Sequence, residues 1–357
     1  MPDGQRIDLT QDVVTLTERL VDIESVSGGE GPLADAVEAA LGALPDLDVR
    51  RIGHTVMART DRGLPERVVL AGHLDTVPAN DNLPSRRDGD RVYGLGACDM
   101  KGGCAVGLRV AATVREPTRD VTFLFYECEE VAAERNGLAM VATHHPDWLK
   151  ADFAVLMEPT SATVEGGCQG TVQVDVRTRG VRAHTARAWM GENAIHKTAE
   201  ILRRLGEYEP RRPEVDGLTY HEGLNAVRIE GGVAGNVLPD EAQVRVNFRY
   251  APDRSEDGAL AFLREFFVGF EMEVADSAPA ARPGLDVPAA AAFVAGIGKQ
   301  PRPKHGWTDV ARFAGLGIPA VNYGPGDPLL AHSQGEFVEA AELRECEERV
   351  RAWLGDG

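Results

Sequence analysis

Apolar positions recur at helical spacing near the start of the chain. Val13, Leu16, Leu20 and Ile23 share one face, which predicts a helix over residues 10–27. Leu33, Val37, Leu41 and Leu44 predict a second over residues 32–44. Short unbroken apolar runs follow: Val68 to Leu74, Val121 to Tyr126 and Phe153 to Met157. Such runs read as strands buried on both faces. A helical pattern from Gly102 to Val114 separates the first two, and a looser one from Asn136 to Thr143 precedes the third. Strands alternating with helices predict an α/β fold with a mainly parallel sheet covered on both faces.

The pattern changes after Gly166-Gly167-Cys168-Gln169-Gly170. From Thr171 to Arg177, Val172, Val174 and Val176 alternate with polar residues, as in a strand with one wet face. A helix is expected around Ala194, Ile195, Thr198, Ile201, Leu202 and Leu205. Strands are expected at Leu224 to Glu230 and Ala242 to Tyr250, a helix at 256–267 and a strand at 270–275. The order β-α-β-β-α-β is ferredoxin-like. It predicts a unit at residues 169–287 inserted into a first domain made of residues 1–168 and 288–357. The Ala- and Pro-rich stretch Asp276 to Pro288 reads as the return linker. Helix–strand alternation then resumes, with Phe313 and Leu316 before Ile318 to Tyr323.

Composition narrows the function classes. The 357 residues carry 38 basic and 56 acidic side chains, a formal charge of −18. That balance argues against nucleic acid as a partner. No apolar run approaches the roughly 20 residues of a membrane helix, and Met1 to Arg6 lacks a secretory pattern. The odd cysteine count, Cys98, Cys104, Cys128, Cys168 and Cys346, points to free thiols in a reducing cytoplasm.

Several acids close apolar strands, where burial is costly. His73 and Asp75, two apart after Leu70-Ala71-Gly72, project to the same side of their strand. A nearby carboxylate can fix the tautomer of a ligating imidazole. Gly94-Leu95-Gly96-Ala97-Cys98-Asp99 opens like a dinucleotide loop, but Asp99 would meet a pyrophosphate with like charge. Its glycines instead let the backbone turn and aim Asp99 inward. Glu129 and Glu130 follow the strand ending at Tyr126, with Glu127 expected in solvent. Glu158 closes the next strand before Pro159, and His332 sits in a loop after the last one. The carboxyl edge of an open α/β sheet is where ligands bind. His73, Asp99, Glu130, Glu158 and His332 therefore form a candidate ligand set for zinc, or for cobalt or manganese. Asp99 could bridge two such metals about 3.5–4 Å apart, with a water between them.

In this order and spacing the motifs resemble the co-catalytic zinc amidohydrolase family of aminoacylase, acetylornithine deacetylase, carboxypeptidase G and succinyl-diaminopimelate desuccinylase. The resemblance implies that His73 and Glu158 ligate one metal, Glu130 and His332 the other, and Asp99 bridges. Asp75 would orient His73, and Glu129 would be the general base for the bridging water. The inserted unit resembles the family's lid and dimerisation domain, which implies a homodimer. Gly180-Val181-Arg182-Ala183-His184 resembles a motif whose histidine reaches the partner subunit's site. Asn236 and Arg249 resemble substrate contacts, Arg249 as a fork for a carboxylate.

Closer features resemble the actinobacterial desuccinylase branch. These are Leu156 to Thr160 with Glu165 to Gly170, and Gly306 to Phe313 with Ala320 to Gly326. That implies amide hydrolysis of N-succinyl-L,L-2,6-diaminopimelate, a small polycarboxylate, with Thr308 and Arg312 as further contacts. Trp307 and Gly335 depart from the pattern of many desuccinylases and family members, where threonine and asparagine stand at these places. The same ligands and base suit acetylornithine, an N-acylamino acid or a dipeptide. A metal-binding protein without turnover is the remaining alternative, and Glu129 argues against it.

Overall fold

Asp12 opens the first helix. Its carboxylate accepts the N–H groups of Val14 and Thr15, so the helix starts at Val13 and not at residue 10. It ends at Val21, well short of residue 27. Beyond it, Val26 pairs with Thr76, and the chain from Ser25 to Ser27 follows the strand end. In the computed structural model, which describes residues 6–355, the second helix runs Gly31–Gly42. Met1 to Gln5, most of the segment read above for a secretory pattern, lie outside the described residues.

The chain divides into two compact units. One comprises Met1–Gly166, Gly284–Arg302 and Arg312–Gly357. The other comprises Gly167–Pro283 and Pro303–Ala311. The second thus takes up residues 303–311, which the sequence pattern assigns to the first domain. Its first boundary falls two residues before the expected one.

The larger unit is built on an eight-stranded sheet. Its strands run, in spatial order, Asp48–Ile52, Thr55–Arg59, Asp120–Tyr126, Arg67–His73, Phe153–Leu156, Ala320–Asn322, Glu165–Gly166 and Arg302–Pro303. The four from Asp120–Tyr126 to Ala320–Asn322 are mutually parallel, and antiparallel pairs flank them. Every residue of Asp120–Tyr126 is buried, as a strand covered on both faces requires. The helix Lys101–Thr113 lies against the sheet at very short range. A Cβ at Gly103 would sit 2.0 Å from the Met157 carbonyl oxygen.

The second unit carries a four-stranded antiparallel sheet in the order Gly223–Gly231, Glu241–Tyr250, Gly170–Arg179 and Glu271–Ala278. With helices Ala194–Gly206 and Glu256–Phe266 this is the expected β-α-β-β-α-β unit. Asn193 and Ser255 cap the two helices. Val172, Val174, Val176, Val244, Val246 and Phe248 form its core with Ile201 and Leu263. The last strand, Glu271–Ala278, ends three residues later than expected and takes up the start of the Ala/Pro stretch. Gly223–Gly231 forms one edge of the sheet, and Val227 and Ile229 lie exposed on it.

Candidate metal centre

Register brings the strand ends together. His73 pairs with Tyr126, and Ala71 pairs with both Leu124 and Leu156. The residues that follow these three adjacent strands therefore emerge at one edge: Asp75, Glu129 with Glu130, and Glu158. Asp99 reaches the same edge from the loop before helix Lys101–Thr113. In that loop Gly96 takes φ +78°, a conformation that favours glycine. His332 comes from the loop after Ala320–Asn322.

Asp99 stands between the two imidazoles. Its Oδ1 lies 3.1 Å from His73 Nε2, and its Oδ2 lies 3.5 Å from His332 Nε2. His332 Nε2 also lies 2.7 Å from Glu130 Oε1. His73, Asp99 and Glu158 each offer one ligand atom, all within 4.8 Å of one another. Asp99, Glu130 and His332 do the same, as do His73, Glu129 and Glu130. The five expected ligands and the expected base thus share one cluster. Two imidazole nitrogens with carboxylates on both sides of a shared aspartate fit a pair of borderline divalent cations.

The cluster is strongly anionic. Burial opposes the charged form of His73, but the Asp75 and Asp99 carboxylates outweigh it and hold its pKa well above the usual histidine value. Hydrogen bonds to Asp99 and Glu130 raise His332 to about 10. Burial alone would raise Asp75, yet His73, Ser27 and the Glu129 N–H bring it down to about 2. Burial opposes the charge of Asp99 as well, but His332 and His73 hold its carboxyl well below the ordinary value, so Asp75 and Asp99 are ionised at neutral pH.

Asp75 contacts more than the His73 imidazole. The closer partner of His73 Nδ1 is the Asp75 carbonyl oxygen, at 3.0 Å, while the Asp75 carboxylate is 3.5 Å away. That carboxylate accepts the N–H groups of Glu129 at 2.9 Å and Glu130 at 3.1 Å, and the Ser27 hydroxyl at 2.7 Å. Glu127, expected in solvent, is half-buried and accepts the His54 N–H through Oε1 at 2.9 Å.

Two further acids, which no sequence motif singles out, hold backbone N–H groups beside these residues. Glu336 is buried, and its Oε1 accepts the N–H groups of Cys98 at 2.9 Å and Asp99 at 3.1 Å. Burial raises its carboxyl to about 7 despite those hydrogen bonds. Glu30 is buried beneath Cys128 and accepts its N–H at 3.1 Å. All five cysteines are free and buried, as their spacing suggested.

The second unit holds the other expected residues. His184 is exposed, and its Nδ1 accepts the Ala186 N–H at 3.0 Å. The strand Ala183–His184 pairs with Val237–Leu238, and the Asn236 carbonyl accepts the Thr185 N–H at 3.0 Å, so His184 and Asn236 are neighbours. Arg249 is half-buried on Glu241–Tyr250, and its guanidinium has no hydrogen bond or ion pair among the described residues. Burial lowers its pKa from the ordinary arginine value. Thr308 is buried in the second unit, whereas Arg312 lies on helix Val310–Gly315 where the chain rejoins the larger one.

A parallel-centred α/β sheet with paired histidine–carboxylate sets around one aspartate defines a class of metallohydrolase. The chain belongs to peptidase family M20/M25/M40, whose family model matches residues 69–355. It is 45% identical to the succinyl-diaminopimelate desuccinylase of Corynebacterium glutamicum over 361 residues, 98% of each chain. It is 51% identical to a Mycobacterium tuberculosis protein provisionally named succinyl-diaminopimelate desuccinylase DapE, covering 98% of this chain and 99% of that one. The fold is similar to that of aminopeptidase PepT from Bacillus cereus, with TM-score 0.78, 19% identity, and 98% and 99% of the two chains covered. No helix among the described residues is long and apolar enough to cross a membrane.

Proposed function

We propose that the protein is a cytoplasmic, dinuclear metallohydrolase that cleaves the amide bond of N-succinyl-L,L-2,6-diaminopimelate, releasing succinate and L,L-2,6-diaminopimelate. The observation that carries the reading is Asp99, with one oxygen toward His73 and the other toward His332. The near-full-length similarity to desuccinylases supports the substrate. His73 and Glu158 would hold one cation, Glu130 and His332 the other, and Asp99 both. Zinc suits these nitrogen and oxygen donors, with cobalt or manganese as substitutes. When bound, such cations polarise the amide carbonyl and make water easier to deprotonate.

The chain's own residues do the rest. Glu129 takes a proton from the attacking water and returns it to the leaving nitrogen. Asp75 orients His73 and anchors the backbone of Glu129 and Glu130. His184 stabilises negative charge developing on the carbonyl oxygen, acting from the partner subunit of a homodimer. Exposed Val227 and Ile229 on an open sheet edge support assembly through the second unit. Arg249, which forms no hydrogen bond or ion pair among the described residues, receives a substrate carboxylate, with Asn236, Thr308 and Arg312 as further contacts.

The test is succinate release from N-succinyl-L,L-2,6-diaminopimelate by zinc-loaded protein, run beside N-acetylornithine, N-acylamino acids and dipeptides. Turnover of the succinyl substrate with the highest kcat/KM is expected. Cleavage of N-acetylornithine with the succinyl compound left intact would overturn the substrate.

A further inference from the structure

Three successive backbone N–H groups lead through the proposed base and the ligand beside it, and each donates to a carboxylate. Those of Glu129 and Glu130 go to Asp75. That of Cys128 goes to Glu30 Oε1 at 3.1 Å. Glu30 is 0% exposed. Its Oε1 also accepts the Gly28 N–H at 2.9 Å and lies 3.5 Å from the Cys128 thiol. Its Oε2 is buried with no hydrogen-bond partner among the described residues. A buried carboxylate with one orphaned oxygen is an expensive way to satisfy two N–H groups.

Its position indicates what it secures. Cys128 has φ +58°, a left-handed conformation costly for a residue with a side chain. It is the point where the buried strand Asp120–Tyr126 gives way to Glu129 and Glu130. Ser27, three residues before Glu30, donates to Asp75 at 2.7 Å. One short segment, residues 27–30, therefore supports both carboxylates beneath the turn. Glu30, His54 and Glu127 also gather possible ligand atoms within 4.8 Å. Arg51 Nη2 already lies 3.3 Å from His54 Nδ1, so positive charge faces that ring and a cation there would add to it.

We infer that Glu30 is a positioning residue: by holding the Cys128 N–H it fixes the turn that aims the Glu129 carboxylate. The inference rests on the hydrolase reading above. A misplacement of about 1 Å at a reacting group costs roughly 10²-fold in rate.

Three variants test it, with kcat and KM measured per folded chain carrying two zinc ions. Glu30→Gln keeps a carbonyl oxygen for both N–H groups and is expected within about threefold of wild-type kcat, since the acceptor is retained. Glu30→Ala is expected to lose about 10–100-fold in kcat with KM nearly unchanged. Glu30→Asp keeps charge and burial but withdraws the acceptor by one methylene; it decides the matter if the alanine variant does not fold, and its kcat is expected to fall too. A purely structural role would lower Tm and yield while leaving kcat per zinc-loaded chain intact. Wild-type kcat in folded Glu30→Ala or in Glu30→Asp would overturn the inference. So would a Glu30→Gln variant as impaired as alanine, or a third zinc ion lost with Glu30. Failure of wild-type protein to release succinate, or full activity in Glu129→Gln, would overturn the hydrolase reading instead.

Discussion

Gly103→Ala adds one methyl group at the closest approach of helix Lys101–Thr113 to the sheet. Its Cβ would lie 2.0 Å from the Met157 carbonyl oxygen, 2.9 Å from Met157 Cβ and 3.0 Å from Met157 C. Backbone atoms cannot rotate away, so the helix must retreat by roughly 1.5 Å to restore an ordinary contact of about 3.5 Å. Overpacking of this kind costs about 1–3 kcal/mol, and this contact belongs at the upper end. Replacing glycine inside a helix returns about 1 kcal/mol. The net is about 2 kcal/mol, or a fall in Tm of several degrees for a unit of this size. The retreat also has a direction. Asp99 precedes the helix and Glu158 follows Met157, so the methyl group drives apart two proposed ligands of one cation. Differential scanning calorimetry and zinc titration by mass spectrometry are the assays. A lower Tm and weaker zinc binding are expected, with the larger loss at the ion proposed for His73 and Glu158. Gly107→Ala is the control, because its Cβ meets only Phe125 ring carbons at 3.4 Å. It should keep both metals and gain up to about 1 kcal/mol. Wild-type Tm and zinc affinity in Gly103→Ala would refute the packing argument.

Further outcomes follow from other sites. Glu129→Gln should bind both metals and lose about 10²–10⁴-fold in kcat, as removal of a general base does; steady-state kinetics beside metal analysis will show it. Arg249→Lys replaces a fork with a point charge, so KM for the succinyl substrate should rise about tenfold or more. An analogue lacking the contacted carboxylate should show little difference between the two proteins. Asp120 is buried and accepts hydrogen bonds from Arg62 N, Thr60 Oγ1 and Leu64 N, with Arg67 Nη2 at 3.7 Å. Burial opposes its charge, but these donors win and its pKa is lowered. A carboxyl lowered by folding stabilises above its unfolded pKa, about 3.9, and loses that contribution as pH falls through the folded value. Asp120→Asn should therefore be less stable by about 1–3 kcal/mol at pH 7, with the gap closing below about pH 4 in urea melts.

Much of the site was legible because it lies at strand ends. Apolar runs marked the three central strands, and each was followed by an acid or histidine within a few residues. Parallel pairing then brought those residues to one edge. The inserted unit was legible from its alternating valines and two amphipathic helices. The supports were not. Residues 10–27 carry helical periodicity throughout, yet Asp12 and the Val26–Thr76 pairing reduce the helix to Val13–Val21. Glu30 and Asp75 act through backbone N–H groups 98 and about 54 positions away, and no local pattern encodes such a partner. Glu336 is hidden for the same reason: its acceptors' work is done on Cys98 and Asp99, from the far end of the chain.

The strand order also sets a sequence of assembly during synthesis. Ala320–Asn322 lies between Phe153–Leu156 and Glu165–Gly166, so the large sheet is interrupted until residues beyond 320 leave the ribosome. The four long strands and two helices of the second unit are all complete by Ala278. Domains generally fold as units in the order they emerge, so the inserted unit folds while its host waits for a central strand. His332 emerges later still. The proposed second cation thus cannot take its full ligand set on a nascent chain until the sheet that supports it can close.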